Sequence, residues 1–220
     1  MKNSLLSTLL CLGIIPIATA QNVNWRSFKT EQNHLVHVQT GWDYGLTLGL
    51  GYGYKFKTRL PILANLEFSA PAGENLLDDF KTRIGAQLEV FKNGPFSATA
   101  KVYSPFRRFE NSLVTMTSFG SEFSGVLGYY KSRWFVSGEF GFDKAIATQM
   151  KHSELARENY PDIQNGWYVP TAGNYFYGIQ TGISFRGNDL HVKAGKVVSQ
   201  GFKTAPFIPF FVQLGYNRRF

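Results

Sequence analysis

From residue 44 to residue 56 the chain reads Tyr-Gly-Leu-Thr-Leu-Gly-Leu-Gly-Tyr-Gly-Tyr-Lys-Phe, large apolar side chains alternating with glycine, threonine and lysine. Side chains on a strand point alternately to opposite sides, so this period of two gives one greasy face and one small or polar face. A helix would scatter the leucines around its circumference and be weakened by the glycines. The same period returns over residues 60–69, 80–91, 96–103, 119–129, 134–143, 175–185, 190–195 and 210–217. In 80–91, for example, Thr82, Ile84, Ala86, Leu88 and Val90 oppose Lys81, Arg83, Gln87 and Glu89. The chain is therefore all-β.

Alternation alone permits a soluble sandwich with its apolar faces turned inward. Three features favour a single antiparallel transmembrane β-barrel instead. The segments run to about 10–14 residues, longer than ordinary globular strands and suited to a tilted membrane crossing. Connectors alternate between short ones (57–58, 92–95, 131–132, 187–188) and long ones (71–78, 106–112, 144–172, 200–208), the pattern of short periplasmic turns and longer extracellular loops. Aromatic residues also gather beside the short turns: Tyr54, Phe56, Phe91, Phe96, Tyr129, Trp134 and Phe185 form an expected periplasmic girdle. Strand 44–56 runs down to a periplasmic turn, so an upward strand must precede it, and residues 33–41 supply one. The count is then about ten, an even number.

The first 20 residues have the build of an export signal. Lys2 precedes an apolar run over 5–15, Pro16 ends it, and Ala18-Thr19-Ala20 is a small-residue cleavage site. The expected division is a signal peptide at 1–20 and a barrel over 21–220. Cys11, the lone cysteine, falls inside the apolar run, so the exported chain would carry none. Aromatics at 16%, charged residues at 17% and 22 glycines exclude a disordered polyelectrolyte.

The carboxy-terminal strand, with Val212, Leu214 and Tyr216 on one face and Phe220 as its last residue, resembles the assembly signal of small Gram-negative outer-membrane β-barrel proteins. Arg218 departs from that signal, where an apolar residue is usual. The resemblance implies residence in the cell outer membrane and contact with the outer-membrane assembly machinery, membrane lipid and lipopolysaccharide.

The inward face carries Glu67, Arg83, Lys101, Glu122, Glu139 and Lys193 at similar heights. An unpaired charge in a narrow, low-dielectric lumen is costly, so Glu67 is expected to pair with Arg83 and Lys101 with Glu122. Two readings follow: a salt-bridged plug, or a narrow path for small solutes or ions. The inward glycines of strand 44–56 leave room for water under the second.

The longest connector, 144–172, offers His152, Arg157, Tyr160, Trp167 and Tyr168, with Lys151, as a surface for an unknown extracellular ligand. Residues 150–157 suit a short helical turn. No cofactor motif is present: 49–53 is glycine-rich but strand-like, with no helix after it. His34 and His37, three apart on a strand, face opposite ways and make a poor metal pair. His191, between Leu190 and Val192, points into the lumen. Asp78-Asp79 with His152 resembles the rim of the omptin proteases, but no second Asp–His constellation follows. The net charge of +8 is assigned to lipopolysaccharide phosphates met by Arg107 and Arg108, not to nucleic acid. The expectation is a non-catalytic outer-membrane barrel with a structural or surface-interaction role; a narrow pore and a rim-sited hydrolase are the alternatives.

Overall fold

The computed structural model describes residues 23–43, 45–73, 78–170, 173–200 and 209–220. The expected signal peptide, Tyr44 and the connector 201–208 lie outside them. Eleven strands follow a 3-10 turn at Trp25–Ser27. They are β1 (His34–Trp42), β2 (Leu46–Phe56), β3 (Ile62–Pro71), β4 (Asp79–Asn93), β5 (Phe96–Glu110), β6 (Val114–Tyr130), β7 (Trp134–His152), β8 (Gly166–Tyr168), β9 (Asn174–Phe185), β10 (Asn188–Ser199) and β11 (Phe210–Arg219). A single helix, α1 (Glu154–Asn159), stands between β7 and β8.

Ten of the strands close into an antiparallel barrel. Each pairs with its neighbour in sequence, β7 pairs with β9, and β11 returns to β1 with Leu35 opposite Arg219 and Trp42 opposite Val212. Three-residue β8 adds only a short flap to the top of β7. Closure leaves the ten strands no unpaired edge, which is how a chain this rich in β-formers avoids edge-to-edge association.

Two of the expected long connectors turn out shorter. Strand β5 continues to Glu110 and β7 to His152, so much of 106–112 and 144–172 is strand. In β7 the alternation breaks at a β-bulge, where Phe119 pairs with Ala147 but Gly120 with Ala145, yet the backbone ladder continues, with Thr115 opposite Lys151 and Arg108 opposite Thr117. The helical turn expected at 150–157 forms at Glu154–Asn159, capped by Ser153, whose hydroxyl accepts from the Ala156 amide. At the opposite end of the barrel the connector expected at 57–58 lengthens to 57–61, while the other three are tight. In the β9–β10 hairpin, Arg186 (φ 48) and Gly187 (φ 85) both take the left-handed conformation that a type I′ turn requires.

The greasy face of the alternation points outward. Leu48, Leu50, Leu66, Ile84, Leu127, Phe140, Ile179 and Val212 are all exposed, while their neighbours Thr47, Glu67, Arg83, Gln180 and Gln213 are buried. One residue of apparent conflict resolves on a β-bulge. Phe91 belongs by alternation to the inner face, but the ladder slips between Glu89 and Phe91, and both Val90 and Phe91 face out.

Aromatic rings form two belts on this outer surface. The girdle expected beside the short turns is outward-facing, with Phe96, Tyr129 and Trp134 in ring contact at 5.2 and 5.5 Å. A second belt, which the sequence reading missed, runs across five strands: Phe68, Phe80, Phe106, Phe119 and Trp167 follow one another at centroid separations of 5.7, 5.9, 5.0 and 6.2 Å. Phe119 and Tyr129 lie ten residues apart on β6. At about 3.3 Å per residue and a tilt near 40° they span roughly 25 Å, the height of a membrane barrel's apolar band.

Candidate functional site

Among the described residues, the interior of the barrel is where the strands bring buried charged side chains together, and it is built in layers. The lowest layer is not made by strands. Residues 23–28 fold into the mouth beside the short turns, burying Val23, Asn24 and Trp25 against Leu35 and Leu63, with Phe28 packed beside them. Asn24 donates its amide to the Lys131 carbonyl and to Ser184 Oγ, both at 2.9 Å. The Trp25 indole N–H donates to Thr99 Oγ1 at 2.9 Å. Arg26 donates to the Gly94 carbonyl at 2.8 Å and lies 3.5 Å from Glu89, which also accepts from Ser97 Oγ at 2.7 Å. Arg219 bridges to Asp189 at 2.9 Å and reaches Ser27. The segment is a cork, pinned to β5, β9, β11 and the β6–β7 turn.

Above it lies the charged layer. Arg83 Nη2 sits 2.5 Å from Glu67 Oε2, and Arg83 Nη1 lies 3.5 Å from Glu122. Glu139 receives Lys101 Nζ at 3.0 Å on one oxygen and Lys193 on the other, and accepts from Ser124 Oγ at 2.7 Å. The expected Glu67–Arg83 pair is thus present. The expected pairing of Lys101 with Glu122 is replaced: Lys101 stands opposite Ser124 and Tyr103 opposite Glu122, so Lys101 reaches over β6 to Glu139 on β7. Both clusters join strands that are not neighbours, which a curved interior allows and a flat sheet does not.

The inward glycines of β2 are covered by neighbouring side chains. A β-carbon on Gly49 would collide with Gln39, and one on Gly51 would press on Glu67 and His37, and on Gly53 on Asn65 and Leu63. Elsewhere rings lie over glycine in the same way, Tyr103 over Gly85, Tyr130 over Gly128, Phe176 over Gly141, Phe211 over Gly195 and the His191 ring over Gly215. Glycine opposite a large side chain is how a ten-stranded interior accommodates rings and guanidinium groups at close packing.

The third layer, toward the long connectors, is looser. Phe176, Val197 and Phe211 form an apolar cluster on one side. On the other, Asp43 turns inward from the β1–β2 turn, only 1% exposed, with no hydrogen-bond partner for either carboxylate oxygen. Burial pushes its pKa up to about 6, against the pull of Lys81, Arg83 and Arg107. Arg107 binds Asp79 through Nε at 3.1 Å and Nη2 at 2.9 Å. Arg107 therefore faces into the mouth, not out toward lipopolysaccharide. Arg108 faces outward and pairs with Glu110.

The residues singled out in 144–172 do not converge. Trp167 stacks on Phe119 and belongs to the upper aromatic belt. His152 bonds to Asn165 through Nδ1 at 3.1 Å, Tyr168 donates to the Gln164 carbonyl at 2.8 Å, and Arg157 on α1 and Tyr160 just after it are exposed. Asp79 on β4 and His152 on β7 are separated by two intervening strands, each with its own partner. His34, with Nδ1 2.6 Å from Tyr52 Oη, stacks on Phe220, while His37 is buried in the lumen.

No protein-family model matches the chain, and no curated protein matches it at a significant level.

Proposed function

We propose that this chain is a non-catalytic outer-membrane barrel, structural or surface-interacting, whose lumen is sealed. The observation that carries the reading is the charged layer: Glu67, Arg83, Lys101, Glu122, Glu139 and Lys193 are each no more than 4% exposed and are interlocked across the barrel. A conducting path would need these groups lined by water; here they face one another. The cork at 23–28 adds a second seal in series. Membrane residence is supported by the outward leucines and phenylalanines between two aromatic belts, an arrangement that lipid covers and water does not. A non-catalytic role is supported by the engagement of Asp79 with Arg107 and of His152 with Asn165. Residence in the outer membrane of a Gram-negative cell, with the short turns periplasmic, is the setting in which the expected signal peptide and the terminal strand's likeness to an assembly signal make sense together.

The experiment is reconstitution in planar bilayers after insertion has been verified by heat-modifiable gel mobility. Traces indistinguishable from the bare bilayer are expected. Stepwise conductance would overturn the sealed reading in favour of a narrow pore.

A further inference from the structure

The outer surface is not uniformly covered by side chains. Two adjoining grooves, of about 760 and 700 Å³, share Leu127, Gly138 and Ile179 and run together down the lipid-facing side of β6, β7 and β9. The upper one reaches Phe140, Tyr177, Phe210 and Lys196; the lower one ends at the girdle residues Phe91, Phe96 and Tyr129. The depth comes from missing side chains. A β-carbon on Gly125 would meet nothing within 4 Å, and one on Gly138 only the Gly178 carbonyl oxygen at 4.0 Å. These glycines contrast with those of the lumen, each of which has a ring, a side chain or backbone over it.

A cation stands at the upper end. Lys196 projects outward on β10, its ammonium 5.5 Å from the centre of the exposed Phe210 ring, and no carboxylate bridges to it among the described residues. Lys196 lies eight residues above Asn188 at the short β9–β10 turn. At about 3.3 Å per residue and a tilt near 40°, that is roughly 20 Å up a band about 25 Å tall, so its stem reaches the upper interface. A lysine held among apolar side chains at that height calls for an anion, and the groove beneath it calls for a hydrocarbon chain.

We propose that this groove is a binding site for one phosphorylated acyl lipid of the outer leaflet, of the lipid A type. Its phosphate rests on Lys196, and an acyl chain lies over Gly125 and Gly138 between Leu127, Phe140 and Ile179. The site rests on the membrane-barrel reading and adds a specific lipid to it. It also replaces Arg107 and Arg108 as the main contact with lipopolysaccharide, since both of those cations already hold carboxylates.

The test uses full-length protein purified in detergent whose native barrel is first shown by heat-modifiable mobility, so that failure to fold as a membrane barrel is seen separately. Native mass spectrometry then follows retention of added diphosphoryl lipid A, of the same lipid without phosphates, and of phosphatidylethanolamine. One retained lipid A is expected, with the other two held more weakly. Gly125→Leu/Gly138→Leu fills the groove from open space and is expected to keep the native mobility while losing lipid A. Lys196→Gln should weaken retention about fivefold, the worth of one lysine at a lipid phosphate. Equal retention by the groove-filled variant, or equal retention of lipid with and without phosphate, overturns the proposal while leaving the barrel intact.

Discussion

The indole of Trp25 donates to Thr99 Oγ1 at 2.9 Å, across 74 residues of sequence. This contact makes the amino-terminal segment part of the barrel's interior. Trp25 also packs against Val23, Leu35 and Leu63, so truncating it removes both the hydrogen bond and the filling of the mouth. Buried Trp→Ala changes cost about 3–5 kcal/mol, and here the loss falls on a segment that can detach without unfolding the strands. Trp25→Ala is therefore expected to free residues 23–28 while the barrel persists. Hydrogen exchange should show the Ser27 amide, bonded to the Asn24 carbonyl in the native fold, exchanging faster by about a hundredfold to a few thousandfold. Unchanged protection would mean the cork is held without its tryptophan.

Glu139 makes a sharper energetic case. It is the shared acceptor for Lys101 and Lys193, all three groups being almost wholly buried. Removing its charge leaves two ammonium groups facing each other with no anion between them. Breaking a buried ion pair from one side costs about 3–5 kcal/mol, whereas replacing the whole group with apolar side chains of similar volume is often neutral or stabilising. Glu139→Gln should lower unfolding stability by that amount in urea titrations followed by tryptophan fluorescence. Adding Lys101→Met and Lys193→Met to the same variant should recover most of the loss. No recovery would show that the lysines serve the fold through contacts other than Glu139.

Much of this was legible in the sequence because period-two alternation is a local signal. Tyr52 and Gly53 announce their faces without reference to any other strand, and connector parity gives the count of ten. What was not legible depends on closure. Lys101 finds Glu139 only because the sheet curves until β5 and β7 face each other over β6; nearest-neighbour reasoning gave it Glu122. The cork carries no periodicity, and its partners for Asn24 are 107 and 160 residues away. Asp189 and Arg219 were readable as inward by alternation, yet nothing local says that they bridge. Trp167 reads in sequence as part of a ligand surface on the long connector because β8, three residues long, is too short to show a pattern.

Asp43 supplies a pH dependence with a definite sign. Its carboxyl lies in the β1–β2 turn, buried and without hydrogen-bond partners, with its pKa raised from 3.8 to about 6. A raised acid binds its proton more tightly in the folded state. Its stabilising contribution is whole below about pH 4 and is lost as pH climbs through 6. The shift corresponds to about 3 kcal/mol between those limits. Asp43→Asn cannot ionise, so it should unfold like the wild type at pH 4 and be the more stable of the two at pH 8. A wild type whose margin over the variant grew with pH would reverse the sign and place an undetected cation at Asp43.

Trp167 decides between a free connector and a membrane belt. Its ring stacks 6.2 Å from Phe119, at the end of a ladder that begins at Phe68 on β3. Aromatic rings at such a height settle at the headgroup level, where an apolar body and a polar N–H are both satisfied. A variant retaining Trp167 alone, with Trp25, Trp42 and Trp134 changed to phenylalanine, reports its depth by fluorescence. Lipids brominated near the headgroup end of the chain should quench it strongly, and aqueous iodide only weakly. Phe119→Ala removes the ring on which Trp167 stacks and should shift quenching toward iodide. If iodide dominates already in the parent, residues 166–168 stand clear of the bilayer, and the upper belt stops at Phe119.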